Sequence, residues 1–306
     1  MNSALCLLMY GAVMAWLCPP LLVRVTRSGS SPRLSVAVWI SAVVLALGAW
    51  FVAGLSLLVE VVSTHALSPV QYCLDMLLAL NHLGWAGHLI IVAASAGAVV
   101  TLVAVLRRLW VTARRLWARS SEHAHAARLL GSATSRPGVV LVQADQPTAY
   151  CVAGRPHAIV VTTGAVASLS EQELSAVLAH EQAHLSGRHP QLMMALRALS
   201  SSLPRIPLLA RASESVAAML EMCADDRAAR QHGRDALLRS LATFAGITGQ
   251  TPGGALGIAD TAVLARALRL AGPAGRWARL RSAALLSAVL AALVTTPAVI
   301  TLICHS

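Results

Sequence analysis

The 306-residue chain is 57% apolar and only 12% charged, with a mean hydropathy of +0.67, which excludes an ordinary soluble domain and points to an integral membrane protein. Its formal charge of +11 is carried by arginine alone, since the sequence has no lysine. Much of that arginine flanks apolar runs, so topology accounts for it and direct nucleic-acid binding is not expected. Six cysteines without a C-x-x-C pair argue against a thiolate metal site or a disulfide framework.

Four uncharged or nearly uncharged runs are long enough to cross a bilayer: 1–23, 34–59, about 84–106 and 282–304. No cation precedes the first run and no small-residue cleavage site follows it, so it is expected to be a retained helix, bent at Pro19-Pro20, and not a signal peptide. Arg24, Arg27 and Arg33 follow the first run, and Arg107, Arg108, Arg114, Arg115 and Arg119 follow the third. Arg276, Arg279 and Arg281 precede the fourth, whereas no arginine lies in 60–84. This asymmetry predicts a multi-pass plasma-membrane protein with both termini outside and residues 107–281 in the cytosol. Arg107-Arg108-Leu109-Trp110 and Arg114-Arg115-Leu116-Trp117 repeat at a spacing of seven. They read as a basic juxtamembrane helix over 107–135 whose tryptophans and arginines favour the lipid headgroup zone. Cys6, Cys73 and Cys304 fall on or near the outer side, and Cys223 reads as buried packing.

Within the cytosolic block, a Pro-Gly turn introduces three β-rich runs, Val139–Val142, Thr148–Val152 and Ala158–Thr163, that predict a small sheet. Ser170-Glu171-Gln172-Glu173 is a capping box, so a helix should start at Ser170 and continue to about Gly187. Leu174, Val177, Leu178 and Leu185 give it an apolar flank for the sheet. On this helix stands His180-Glu181-Gln182-Ala183-His184, the H-E-x-x-H pattern. Histidines at i and i+4 share a face and can reach one zinc ion, and Glu181 is placed to act as general base on the attacking water.

Two histidines leave a catalytic zinc one protein ligand short. Glu214, Glu221, Asp225, Asp226 and Asp235 are the downstream acids within plausible reach. Glu221 and Asp225, at i and i+4, are the favoured pair, with Glu221 as third ligand and Asp225 as the acceptor that orients a ligand histidine. The competing reading is a solvated face paired with Arg227 and Arg230, against which the flanking alanines at 217, 218, 224, 228 and 229 predict a closely packed helix. His65, His82, His88, His123 and His125 are read as interfacial or packing residues. For stabilising an oxyanion, His157, His189, Arg227 and His232 stay open.

Together, Thr148-Ala149-Tyr150, Ile159 to Thr163, Leu174 to His184 and Glu221 with Ala224-Asp225 resemble the membrane-bound gluzincin peptidases, most closely the BlaR/MecR type. The resemblance implies a membrane α+β fold: four transmembrane helices with a cytosolic zincin-like peptidase domain inserted between the third and fourth. The expected division is a three-helix membrane region at 1–106, the basic helix at 107–135, the peptidase domain at 136–281 and the fourth span with the C-terminus at 282–306. It also implies that His180, His184 and Glu221 hold Zn2+, that Glu181 is the catalytic base, and that the strand around Ala149-Tyr150 borders the cleft. The implied activity is cleavage of a protein or peptide substrate, such as a BlaI/MecI-like repressor. BlaR/MecR-type sensors carry an outward penicillin-binding domain after the fourth helix, which is not expected here because the sequence ends at Ser306. Two alternatives accompany this reading: an HtpX-like membrane-protein quality-control protease, and a catalytically silent transducer that keeps zinc for structure. HtpX-like proteins have further hydrophobic segments after the motif, whereas Arg197, Arg205, Arg211 and Glu214 make 190–220 a poor span.

Overall fold

The computed structural model describes residues 3–62, 85–154, 157–248, 258–272 and 274–305. The first apolar run is α1 (Ser3–Ala12), a π-helical turn (Val13–Leu17) and α2 (Pro19–Thr26). Pro19 and Pro20 bring no N–H to the hydrogen-bond ladder, so the run breaks there and its halves meet at 56°. α3 (Pro32–Val62) is apolar all round, and Ala42, Ala46, Ala49 and Ala53, spaced three or four apart, form a buried small-residue face. α1 lies close beside α3: Gly11 faces the Trp50 ring and Trp50 donates to the Leu8 carbonyl at 3.3 Å. Tyr10 donates to the Leu293 carbonyl on α11 (Arg276–His305), which joins the last helix to this group.

By length and apolarity, α3 and α11 each suffice to cross a membrane, and the bent first run makes a third candidate. The third run forms the beginning of α4 (Trp85–Leu130), a continuous helix of 46 residues and about 69 Å. The expected boundary at 106/107 is therefore no break in the chain's path, and the basic helix ends at Leu130 instead of 135. Residues 63–84, with His65, Cys73 and His82, lie outside the described residues.

The sheet comprises β1 (Ser132–Ala133), β2 (Val139–Val142), β3 (Ala149–Val152) and β4 (Ala158–Thr162), in the order β1-β2-β4-β3. β2 and β4 run parallel, with Val140 opposite Val160, while β1–β2 and β3–β4 are antiparallel. All five residues of β4 are buried, because both of its faces are covered. Val160 points to Ala124 and Ala127 of α4, and Ile159 and Val161 point to Leu178 of α6 (Glu171–Ser186), with Leu174 and Leu185 beside them. Val177, expected on the same flank, is buried but is not part of this cluster. β3 is an edge strand of this sheet.

After α5 (Thr163–Ser168) comes α6, with Ser170 as N-cap. The capping box is complete: Glu173 N–H donates to Ser170 Oγ at 3.4 Å, and Ser170 N–H donates to Glu173 Oε2 at 3.0 Å. α7 (His189–Ser202) and α8 (Pro207–His232) occupy the charged 190–220 stretch, separated by a turn at 203–206. α9 (Arg234–Thr248) and α10 (Ile258–Ala271) complete the domain.

The 26 residues of α8 serve two cores. Leu208, Leu209, Ala212, Val216 and Leu220 sit in one cluster with Val38 and Trp39 of α3 and Leu286 of α11. One turn further on, Ala224 and Ala228 are fully buried, and Ala228 packs with Ala176 of α6 and Leu237 of α9. Alanine at 224 and 228 lets α8 approach the motif helix closely, whereas Ala218, expected in the same packed set, is exposed.

Candidate active site

Because α6 places His180 and His184 one turn apart on its buried face, their Nε2 atoms come within 3.1 Å of each other. From α8, the Glu221 carboxylate spans both: Oε2 lies 3.4 Å from His180 Nε2 and Oε1 lies 3.4 Å from His184 Nε2. One ligand atom from each residue can be chosen so that all three fall within 4.8 Å. Donors held at ~2.0–2.1 Å around a tetrahedral zinc stand roughly 3.3 Å apart, so two imidazoles and a carboxylate at these separations fit that ion in both chemistry and spacing. Of the other acids, Glu214 pairs with Arg211 at the surface, Asp226 pairs with Arg269, and Asp235 is exposed in the first turn of α9. Glu221 is the one that reaches the Nε2 atoms of both histidines.

Asp225, only 1% exposed, lies one turn beyond Glu221 with Oδ1 3.0 Å from His180 Nδ1. The sequence signal for this pair was the i, i+4 spacing, and the solvated-face reading with Arg227 and Arg230 does not hold. The cation that joins them is Arg266 of α10, which sequence reasoning missed. Arg266 donates from Nε to Asp225 Oδ2 at 2.8 Å and from Nη2 to Oδ1 at 2.7 Å, and its Nη1 lies 3.0 Å from Glu221 Oε2. A single guanidinium thus clamps both carboxylates of α8, using the planar fork that lysine lacks. Three residues on, Arg269 grips Asp226 through contacts of 2.9 Å and donates to the Gly29 carbonyl at 3.0 Å. Gly29, in the turn between α2 and α3, has φ of +58°, a conformation that favours glycine, and lies against the Met222 side chain of α8.

Burial works against charge on His180, but the flanking carboxylates of Asp225 and Glu221 outweigh it and raise its pKa to about 9. Burial pushes His184 down to about 4 and lowers His189 as well, so both are neutral at physiological pH. Asp225 would be raised by burial, yet the hydrogen bonds from Arg266 bring it down to about 2. Glu181, half-buried beside β3, is held above the usual carboxylate range chiefly by burial, as suits a proton acceptor that must later give its proton up. The Cys151 thiol of β3 donates a hydrogen bond to it, and burial together with Glu181 pushes that thiol to about 12. β3 therefore borders the site, with Cys151 touching the proposed base.

Of the residues left open for oxyanion stabilisation, His157 and Arg227 are exposed, and His189 packs against the far side of His184 with the two Nδ1 atoms 3.0 Å apart. Arg266 brings its Nη2 to 3.5 Å from His180 Nε2. A cavity of about 330 Å³ opens beside His184 and Glu221, walled by Leu116 and Ser120 of α4, Met193 and Met194 of α7 and Leu220 of α8.

Residues 111–261, just under half of the chain, match the model of Peptidase family M48. A stretch of 76 residues, 24% of the chain, is 37% identical to a protease HtpX homolog of Acidiphilium cryptum (strain JF-5). That match spans 26% of the relative, so the chain covers about a quarter of that protein's length. No solved structure matches the chain.

Proposed function

We propose that the chain is an integral membrane zinc endopeptidase in which His180, His184 and Glu221 hold the metal, Glu181 is the catalytic base and Asp225 orients His180. The observation that carries this reading is the donor set itself: two imidazole nitrogens and one carboxylate, delivered by two helices, at mutual distances of 3.1–3.4 Å. Bound zinc would supply Lewis-acid polarisation of the scissile carbonyl and make a water acidic enough to be deprotonated near neutral pH. Glu181 takes that proton and delivers it to the leaving amine. Arg266 and Asp225 keep Glu221 and His180 in place while this happens, which limits reorganisation during reaction. The edge of β3 that pairs with no strand among the described residues offers main-chain groups to an extended substrate, and the cavity beside His184 can take an apolar side chain.

The proposed topology is four spans with both termini outside and a peptidase domain over 136–281 in the cytosol. The finer reading inherited from the BlaR/MecR resemblance is cleavage of a cytosolic regulator, such as a BlaI/MecI-like repressor. It is supported by the way α4 continues from an apolar run to the wall of the cavity and on to the sheet. A second reading, quality control of membrane proteins, is favoured by the match to a protease HtpX homolog.

The test is to purify wild type and Glu181→Ala from membranes, measure bound zinc, and incubate each with a candidate repressor and with a misfolded membrane protein. One zinc in both proteins and cleavage by wild type alone is the expected result, and the substrate cut identifies the reading. Equal cleavage by both proteins, or zinc without cleavage of any substrate, removes Glu181 from the role of base.

A further inference from the structure

We propose that His189 is a positioning residue for His184, accepting a hydrogen bond from His184 Nδ1–H and thereby fixing the tautomer that presents Nε2 to the metal. The inference rests on the zinc reading of His180, His184 and Glu221. A neutral imidazole carries one N–H, and the nitrogen that binds a metal cannot be the one that bears it. His184 turns Nε2 toward His180 and Glu221, so its proton belongs on Nδ1. That Nδ1 meets His189 Nδ1 at 3.0 Å, with the two rings nearly perpendicular at 88°. One proton serves such a contact, so His189 must offer a lone pair there and carry its own proton on Nε2. The two proposed ligand histidines are then held unequally: His180 faces a carboxylate clamped by Arg266, and His184 faces a neutral ring.

The chain builds this contact locally. α6 stops at Ser186, and Arg188 takes φ of +54°, the one non-glycine residue with positive φ among the described residues. A left-handed conformation at a long side chain is strained. The turn nonetheless carries the backbone from α6 into α7 so that His189, the first residue of α7, folds back beneath His184. Gly187 leaves the room: a Cβ there would collide with His189 Nε2 and Cδ2. A bare glycine and a strained arginine in adjacent positions converge on the placement of one ring.

The experiment compares zinc affinity of full-length wild type, His189→Leu, His189→Asn and Gly187→Ala by competition with a chromogenic chelator, alongside melting of the metal-free proteins. Loss of an outer hydrogen-bond partner weakens metal binding by about 10–100-fold, which is the effect expected for Leu. Asn, which keeps an acceptor oxygen, should recover most of the affinity, and Gly187→Ala should lose part of it. A purely structural role would lower melting for Leu and Asn alike without separating their zinc affinities. Leu binding zinc as tightly as wild type, or Asn binding no better than Leu, overturns the assignment. A wild type that takes up no zinc overturns the zinc reading itself, and this inference with it.

Discussion

Replacing Arg266 with methionine tests whether α10 is part of the site or merely covers it. Asp225 is 1% exposed and the Arg266 side chain 14%, and three contacts of 2.7, 2.8 and 3.0 Å tie that guanidinium to Asp225 and Glu221. Removing one partner of a buried pair strands the other charge, at a typical loss of ~3–5 kcal/mol. The lower end applies, because His180 still faces Asp225 and the Glu221 side chain is 40% exposed. A loss of about 3 kcal/mol in a unit of this size lowers Tm by about 6–12 °C. Pairing the change with Asp225→Asn sharpens the test, since a neutral amide no longer needs the guanidinium. The double variant should be less destabilised than the sum of the singles by more than the ~0.5 kcal/mol within which independent sites add. The assay is thermal unfolding of the detergent-solubilised, metal-free proteins. A Met variant melting within about 2 °C of wild type, a loss below roughly 1 kcal/mol, would refute the reasoning, as would an additive cycle.

The titrating groups make separate predictions for the metal-free protein. Asp225 is depressed to about 2 from an ordinary value of 3.8, so its contribution is complete above about pH 3.8 and is lost as pH falls through 2; melting temperatures measured down the acid limb should fall in that window. His180 is raised from 6.5 to about 9, so the stability its proton contributes is complete below 6.5 and is lost as pH rises through 9. Zinc must displace that proton, so its affinity, followed by chelator competition, should climb over the same interval, and a flat profile from pH 6.5 to 9 would contradict this arrangement. Glu221→Gln removes the anionic donor and should abolish stoichiometric zinc, read by metal analysis, while the metal-free protein stays folded.

What the sequence disclosed is what short spacings encode. The capping box at Ser170 and Glu173, the shared face of His180 and His184, and the i, i+4 pair Glu221 and Asp225 are each fixed within one or two turns of helix, so helical periodicity alone carries them. The sheet was legible for the same reason: three β-rich runs end at turn residues, and only the two-residue β1 was too short to leave a pattern. Arg266 left no such trace. It stands 41 positions beyond Asp225 on a separate helix, and one arginine among many in a lysine-free chain carries no label for its partner. His189 is one of four residues the sequence leaves open for the oxyanion, and only the turn through Arg188 shows which side of His184 it meets.

The 190–220 stretch shows why hydropathy alone could not anticipate how the two parts of the chain join. Arg197, Arg205 and Arg211 argue against a span, and the segment does form two helices broken at 203–206. Yet Leu208, Leu209, Val216 and Leu220 bury themselves among the helices of the apolar N-terminal region, and the same rod then carries Glu221 and Asp225 to the histidines. α8 thus has two different apolar partners along its length, which a single period cannot reveal. Gly29, packed on Met222 and hydrogen-bonded by Arg269, adds a second tie between the α2–α3 turn and the segment of α8 that faces the motif helix. α8 therefore belongs at once to the packing of the apolar helices and to the donor set: Val216 and Leu220 lie in the first, and Glu221, the next residue, in the second.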